Sequence, residues 1–111
     1  MAHYAFLDEN NIVTEVITGI DETETIEGLD PETWYGNFRG QVCKRTSYSG
    51  KIRGVYAGIG DSYNYEEDIF IQPQKFPSWV RTGSLWYPPT PRPNDDKNYA
   101  WNEENLSWEE I

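Results

Sequence analysis

The sequence predicts a mainly β fold: a small single domain of antiparallel hairpins, with an SH3-like or Sm-like partly open barrel as one arrangement of them. One short helix near residues 31–35 and a C-terminal hairpin arm complete the expectation. Three observations predict it. Runs rich in Val, Ile, Thr and aromatic residues are separated by short turn-forming segments. Aromatic residues recur in pairs seven positions apart. Pro punctuates the second half of the chain.

Residues 4–7 and 12–20, within "YAFLDENNIVTEVITGI", read as the first two strands, with Asp8-Glu9-Asn10-Asn11 between them. Asn tolerates the left-handed conformation that tight hairpin turns need. Residues 21–32, "DETETIEGLDPE", carry six acids in twelve positions and read as a surface loop. Its oxygen ligands lack the spacing of an EF-hand loop, so calcium is a minor reading. In "DPETWYG", Asp30 can cap a helix, Pro31 suits its first position and Gly36 can end it. Trp34, Tyr35 and Phe38 would then anchor the helix on the sheet.

Residues 41–48 and 52–59 read as two further strands around Ser49-Gly50-Lys51. The run "GVYAGIG" is too irregular for a phosphate-binding loop, and no helix follows it. Later, "PPTPRP" points to a polyproline II linker. The expected organisation is a β-rich body over 1–87, a Pro-rich linker over 88–98, and a Trp hairpin arm over 99–111. The linker would hold the arm away from the body or lay it along another surface.

The seven-residue spacing carries most of the structural information. Trp101 and Trp108 show it in "WNEENLSW", Trp79 and Trp86 in "WVRTGSLW", Tyr63 and Phe70 in "YNYEEDIF", and Phe6 and Val13 near the N-terminus. Across an antiparallel hairpin such residues face each other, with turns centred on Thr82-Gly83 and Glu104-Asn105. Directly opposed pairs of this kind contribute about 0.2–1 kcal/mol each. The Trp pairs would close hairpins and seal contacts with other subunits. Exposed, Trp79, Trp86, Trp101 and Trp108 would also offer a stacking surface for carbohydrate such as host-surface glycan.

Composition bounds the function. Only 37% of the 111 residues are apolar and 15% are aromatic. Tyr, Trp and Phe must therefore build much of the core. A chain this small has little stability to spare, which points to support from a neighbouring subunit or a larger assembly. The formal net charge of −10 argues against nonspecific nucleic-acid binding. Yet residues 33–60 contain no acid and carry Arg39, Lys44, Arg45, Lys51 and Arg53, a local charge of +5 against −15 elsewhere. Such a basic face could meet an acidic face on the next copy in a homo-oligomer. It could also line an oligonucleotide site on an Sm-like barrel, a reading that the overall charge disfavours.

No reactive constellation stands out, and a non-enzyme is expected, with no cofactor, catalytic residue or metal site. His3 is the single His and Cys43 the single Cys, so the usual zinc spacings and any internal disulfide are missing. Cys43 would act as a nucleophile only if His3 reached it. The first residues lack the charged and apolar regions of a signal peptide, and no apolar run approaches the ~20 residues of a membrane span.

The segments "HYAFLDENNIVTEVITG", "WYGNFRGQVCKRTSY", "VYAGIG", "FPSWV" and "YAWNEENLSW", in that order, resemble small uncharacterised proteins of marine tailed phages, including cyanophages, and of ocean viral metagenomes. The resemblance spans nearly the whole chain. The sequence departs from it at Ser49–Val55, where a longer Gly-rich, polar insert usually follows "CKRTSY". The resemblance implies a virion or tail-associated role, with the protein in the host cytoplasm during assembly and then in the virion. It supplies no catalytic residues. The "YAWNEENLSW" ending is similar in style to C-terminal hairpins of phage tail-fibre accessory proteins.

Overall fold

A computed structural model describes residues 2–111. The fold is mainly β, with one short helix and antiparallel hairpin sheets that remain open. By internal contacts the chain divides into two compact units, one up to Pro73 and one over Gln74–Ile111. The sequence placed a boundary after residue 87; the contacts instead group the 79–87 segment with the C-terminal hairpin.

In the first unit, strands β1 (Ala2–Leu7), β2 (Val13–Gly19) and β3 (Val42–Thr46) form a sheet with β1 in the middle. Central placement explains why "AHYAFL" is almost wholly apolar: Tyr4, Ala5, Phe6 and Leu7 are all buried. The pleat sends alternate residues to opposite faces. Ala5, Leu7 and Val13 meet Ala57, Tyr63 and Phe70 on one face. Ala2, Tyr4, Phe6 and Cys43 form the second core on the other, with Ile17 and Tyr35 against it. The first turn is held by Asp8, whose carboxylate accepts the backbone N–H groups of Asn10 and Ile12, while Asn11 takes φ 63°. An extra residue bulges β2, so Val13 pairs with Leu7 and Phe6 with Glu15. The expected Phe6–Val13 opposition is thereby shifted by the bulge.

Helix α1 (Pro31–Arg39) runs beyond the expected 31–35. Asp30 caps it as predicted, accepting the N–H of Thr33, but Gly36 lies inside rather than at the end. A Cβ on Gly36 would sit 2.8 Å from the carbonyl of Gln41, so this Gly lets the helix approach the start of β3. Gly40, at φ 68°, is the residue that ends the helix.

The strand expected over 52–59 does not form. The Thr46 hydroxyl, buried at the end of β3, donates to the carbonyl of Val55 and accepts the N–H of Ala57. The carbonyl of Arg53 accepts from both Val55 and Phe70. These bonds replace a ladder and lay 53–57 irregularly across the sheet face. Strands β4 (Ser62–Asn64) and β5 (Ile69–Ile71) then place Tyr63 directly opposite Phe70, as their spacing predicts.

The second unit contains β6 (Val80–Thr82) with β7 (Leu85–Tyr87), and β8 (Tyr99–Asn102) with β9 (Ser107–Glu110). In the first hairpin Arg81, not Trp79, faces Trp86. The turn centres on Gly83-Ser84, one residue later than expected, because Gly83 supplies the positive φ of 61° that the first central position requires. In the second hairpin Trp101 does face Trp108. No helix among the described residues is long and apolar enough to cross a membrane.

Candidate functional site

The basic residues of 39–53 do not form one face. Lys44 and Arg45 are neighbours on β3, so the pleat sends them to opposite sides. The Lys44 ammonium lies 5.4 Å and 5.5 Å from the ring centres of Tyr63 and Tyr65. Arg45 pairs with Glu22 at 3.0 Å. Arg39, at the end of α1, binds Glu15 of β2 and lies 4.6 Å over the Phe6 ring. Acids from the flanking segments thus neutralise much of the +5 charge within the same unit.

Arg45, Lys51 and Arg53 do come together, in an open cleft of about 560 Å³. Glu22, Asp30, Glu32 and Asp68 line it too. Arg53 joins three elements. Its guanidinium donates to Asp68 at 2.8 Å, to Glu32 at 2.8 Å and to the Arg45 carbonyl at 2.9 Å. Glu32, in the first turn of α1, also accepts the backbone N–H of Arg45 and so covers part of the outer edge of β3. Tyr63 donates its hydroxyl to Asp68. These bonds, with that of Arg53, hold the Asp68 carboxyl below its usual range. Burial and the same carboxylate push Tyr63 up to about 12. Asp30 is occupied in capping α1. Of these charged groups, Lys51 alone has no bonded partner among the described residues, and the remainder act as a structural clamp.

The Trp residues are placed differently from a flat stacking surface. Trp79, Trp101 and Trp108 cluster with Phe76. Trp79 meets Trp101 edge-on at 5.8 Å and 88°, and Trp101 meets Trp108 at 5.2 Å and 70°. The indole N–H of Trp101 donates to Glu103, whose carboxylate also accepts the N–H and hydroxyl of Ser78. The indole N–H of Trp108 donates to the carbonyl of Thr90, and the Thr90 hydroxyl donates to that of Leu106. Thr90 thereby ties segment 88–93 to the last hairpin. Trp86, half-buried on β7, makes interactions of its own.

Cys43 and His3 lie on opposite faces of the sheet, because Cys43 pairs with Phe6 and His3 with Thr46. The base-assisted nucleophile considered from sequence is therefore not assembled. Burial pushes the Cys43 thiol up to about 12, which keeps it protonated at neutral pH. Among the described residues no group of three or more His, Cys, Asp or Glu is arranged to hold a metal ion.

Two surface features escaped the sequence reading. Phe38, expected to anchor on the sheet, is 72% exposed and stacks on Trp34 at 5.3 Å and 11°. His3, Tyr48 and Tyr56 form an exposed aromatic cluster. The helical i, i+4 spacing of Trp34 and Phe38 was available as a signal, whereas the second cluster depends on the path of 46–57. No family model, curated protein or solved structure matches the chain.

Proposed function

We propose that the protein is a non-enzymatic accessory component of a phage particle, a capsid decoration or a tail- or fibre-associated subunit. It works through contacts with copies of itself and with other virion proteins, assembling in the host cytoplasm. The phage setting rests on the sequence resemblance. The observation that carries the binding role is the open Trp34–Phe38 stack on α1. Two large rings held parallel, one of them 72% exposed, are the kind of apolar patch that marks a protein contact.

The contact proposed is an apolar helix face instead of the basic 39–53 stretch, whose cations are largely paired internally. The two versions respond oppositely to salt. A basic-to-acidic contact loosens as salt rises. An apolar contact between copies that each carry −10 tightens, because screening weakens their repulsion. Native mass spectrometry of the full chain at low and high salt reads the difference. An oligomer that persists at high salt and is lost in Phe38→Asp supports the proposal. A monomer at both salts removes self-assembly, and failure to bind phage particles in a pull-down would then remove the accessory role as well.

A further inference from the structure

We propose that His3, Tyr48 and Tyr56, with the hollow beside them, form a binding site for a neutral pyranose ring. This goes beyond the assembly reading and stands without it. The three rings make a continuous cluster: Tyr48 and Tyr56 lie 5.3 Å apart, His3 meets Tyr56 edge-on at 5.5 Å, and His3 lies 6.2 Å from Tyr48. Tyr48 is nevertheless 78% exposed and Tyr56 37% exposed. The rings support each other while leaving apolar surface open to solvent.

The cluster is built, not incidental to a loose loop. His3 stands opposite Thr46 in the β1–β3 ladder. The buried Thr46 hydroxyl fixes Val55 and Ala57, and so the intervening Tyr56. Tyr48 follows two residues after Thr46, within the turn closed by the Gly50 N–H and the Ser47 carbonyl. Preorganised rings lose little conformational entropy when a ligand settles on them.

The hollow beside the rings measures about 260 Å³ and is lined by residues including His3, Arg45, Ser47, Tyr48 and Ser49. That is small for a drug-sized ligand but suits a single ring. The Ser47 and Ser49 hydroxyls are bonded to each other at 2.8 Å, leaving further capacity to exchange hydrogen bonds with sugar hydroxyls. C–H groups on one face of a pyranose stack on an aromatic ring, and its hydroxyls need such donors and acceptors at the rim. Arg45, the one Lys or Arg lining the hollow, is already paired with Glu22, which favours a neutral sugar over a phosphorylated or nucleotide ligand.

Saturation-transfer NMR on the full chain tests this with cellohexaose, maltohexaose and galactobiose, alongside adenosine monophosphate. Transfer from protein to the ring protons of at least one sugar is expected. Tyr48→Ala should weaken it about tenfold, and Tyr48→Phe should retain it. Tyr48 is exposed, so an unchanged melting temperature in both variants would show that the fold is intact. Absence of transfer to all three sugars, transfer unaffected by Tyr48→Ala, or transfer to adenosine monophosphate alone would overturn the proposal.

Discussion

Trp101 stands directly opposite Trp108 across the final hairpin, with ring centres 5.2 Å apart and planes at 70°. The pair does more than clasp two strands, because Trp79 packs against both rings. Trp101→Ala should destabilise the second unit by about 2 kcal/mol, less than for a fully buried ring because this one is only partly buried. Amide exchange in β8 and β9 measures that loss. Unchanged protection there would show that Trp101 contributes no packing.

The hairpins β4–β5 and β8–β9 use the same turn. Asn64 accepts the N–H of Glu67, and Asn102 accepts that of Asn105, each three residues on. The position after each acceptor turn has positive φ: 54° at Asp68 and 52° at Leu106. Substitution by Gly at these equivalent positions should have opposite effects. Leu106→Gly relieves backbone strain of about 1 kcal/mol and should raise stability. Asp68→Gly relieves the same strain but removes the partner of Arg53 and Tyr63, so it should lower stability. Urea midpoints of the two variants distinguish these signs, and equal shifts would contradict the shared-turn account.

Arg53 is held at φ 54° with its side chain only 18% exposed. Its planar fork reaches Asp68, Glu32 and the Arg45 carbonyl together. Lys has one ammonium and cannot serve all three directions. Arg53→Lys should therefore cost about 1–2 kcal/mol despite keeping the charge. A urea midpoint equal to that of the parent chain would show that charge alone suffices.

Two carboxyls give opposite pH slopes. Hydrogen bonds from Trp101, then Ser78, hold Glu103 below its ordinary 4.5. Its contribution to folding is complete above the unfolded value and is lost as pH falls through the lower folded value. Burial raises Asp61 above its ordinary 3.8, partly offset by the Gly58 N–H it accepts. Asp61 favours folding most at low pH, and that contribution falls as pH rises through its folded value. Asp61→Asn keeps an acceptor for Gly58 and should raise the neutral-pH melting temperature by a few degrees. Glu103→Gln should lower it and flatten the acid limb. Thermal melts from pH 3 to 7 check both, and a lower neutral melting temperature for Asp61→Asn would reverse the assignment.

Much of the local architecture was legible in the sequence. The helix start was visible because Asp30 and Pro31 act within one turn. The aromatic oppositions at 63/70 and 101/108 were visible because spacing and pleat fix cross-strand partners once a turn has the expected length. The same logic failed at 6/13, where a bulge intervenes, and at 79/86, where Gly83 moves the turn by one residue. Gly36 looked like a helix end because its contact with Gln41 is tertiary.

The sequence by itself determined the mainly β character, the hairpin turns and the charge imbalance, all set by neighbours a few residues apart. Only the tertiary structure decided what those charges and rings do. It sent Lys44 and Arg45 to opposite faces, gave Arg39, Arg45 and Arg53 acidic partners from distant segments, and gathered Trp79, Trp101 and Trp108 into one ring cluster. It also left Phe38 and Tyr48 open to solvent. The physical reason is that pairing and exposure depend on which segments fold against each other, and a Thr46 hydroxyl or an Arg53 fork that brings such segments together leaves no periodic trace in the chain.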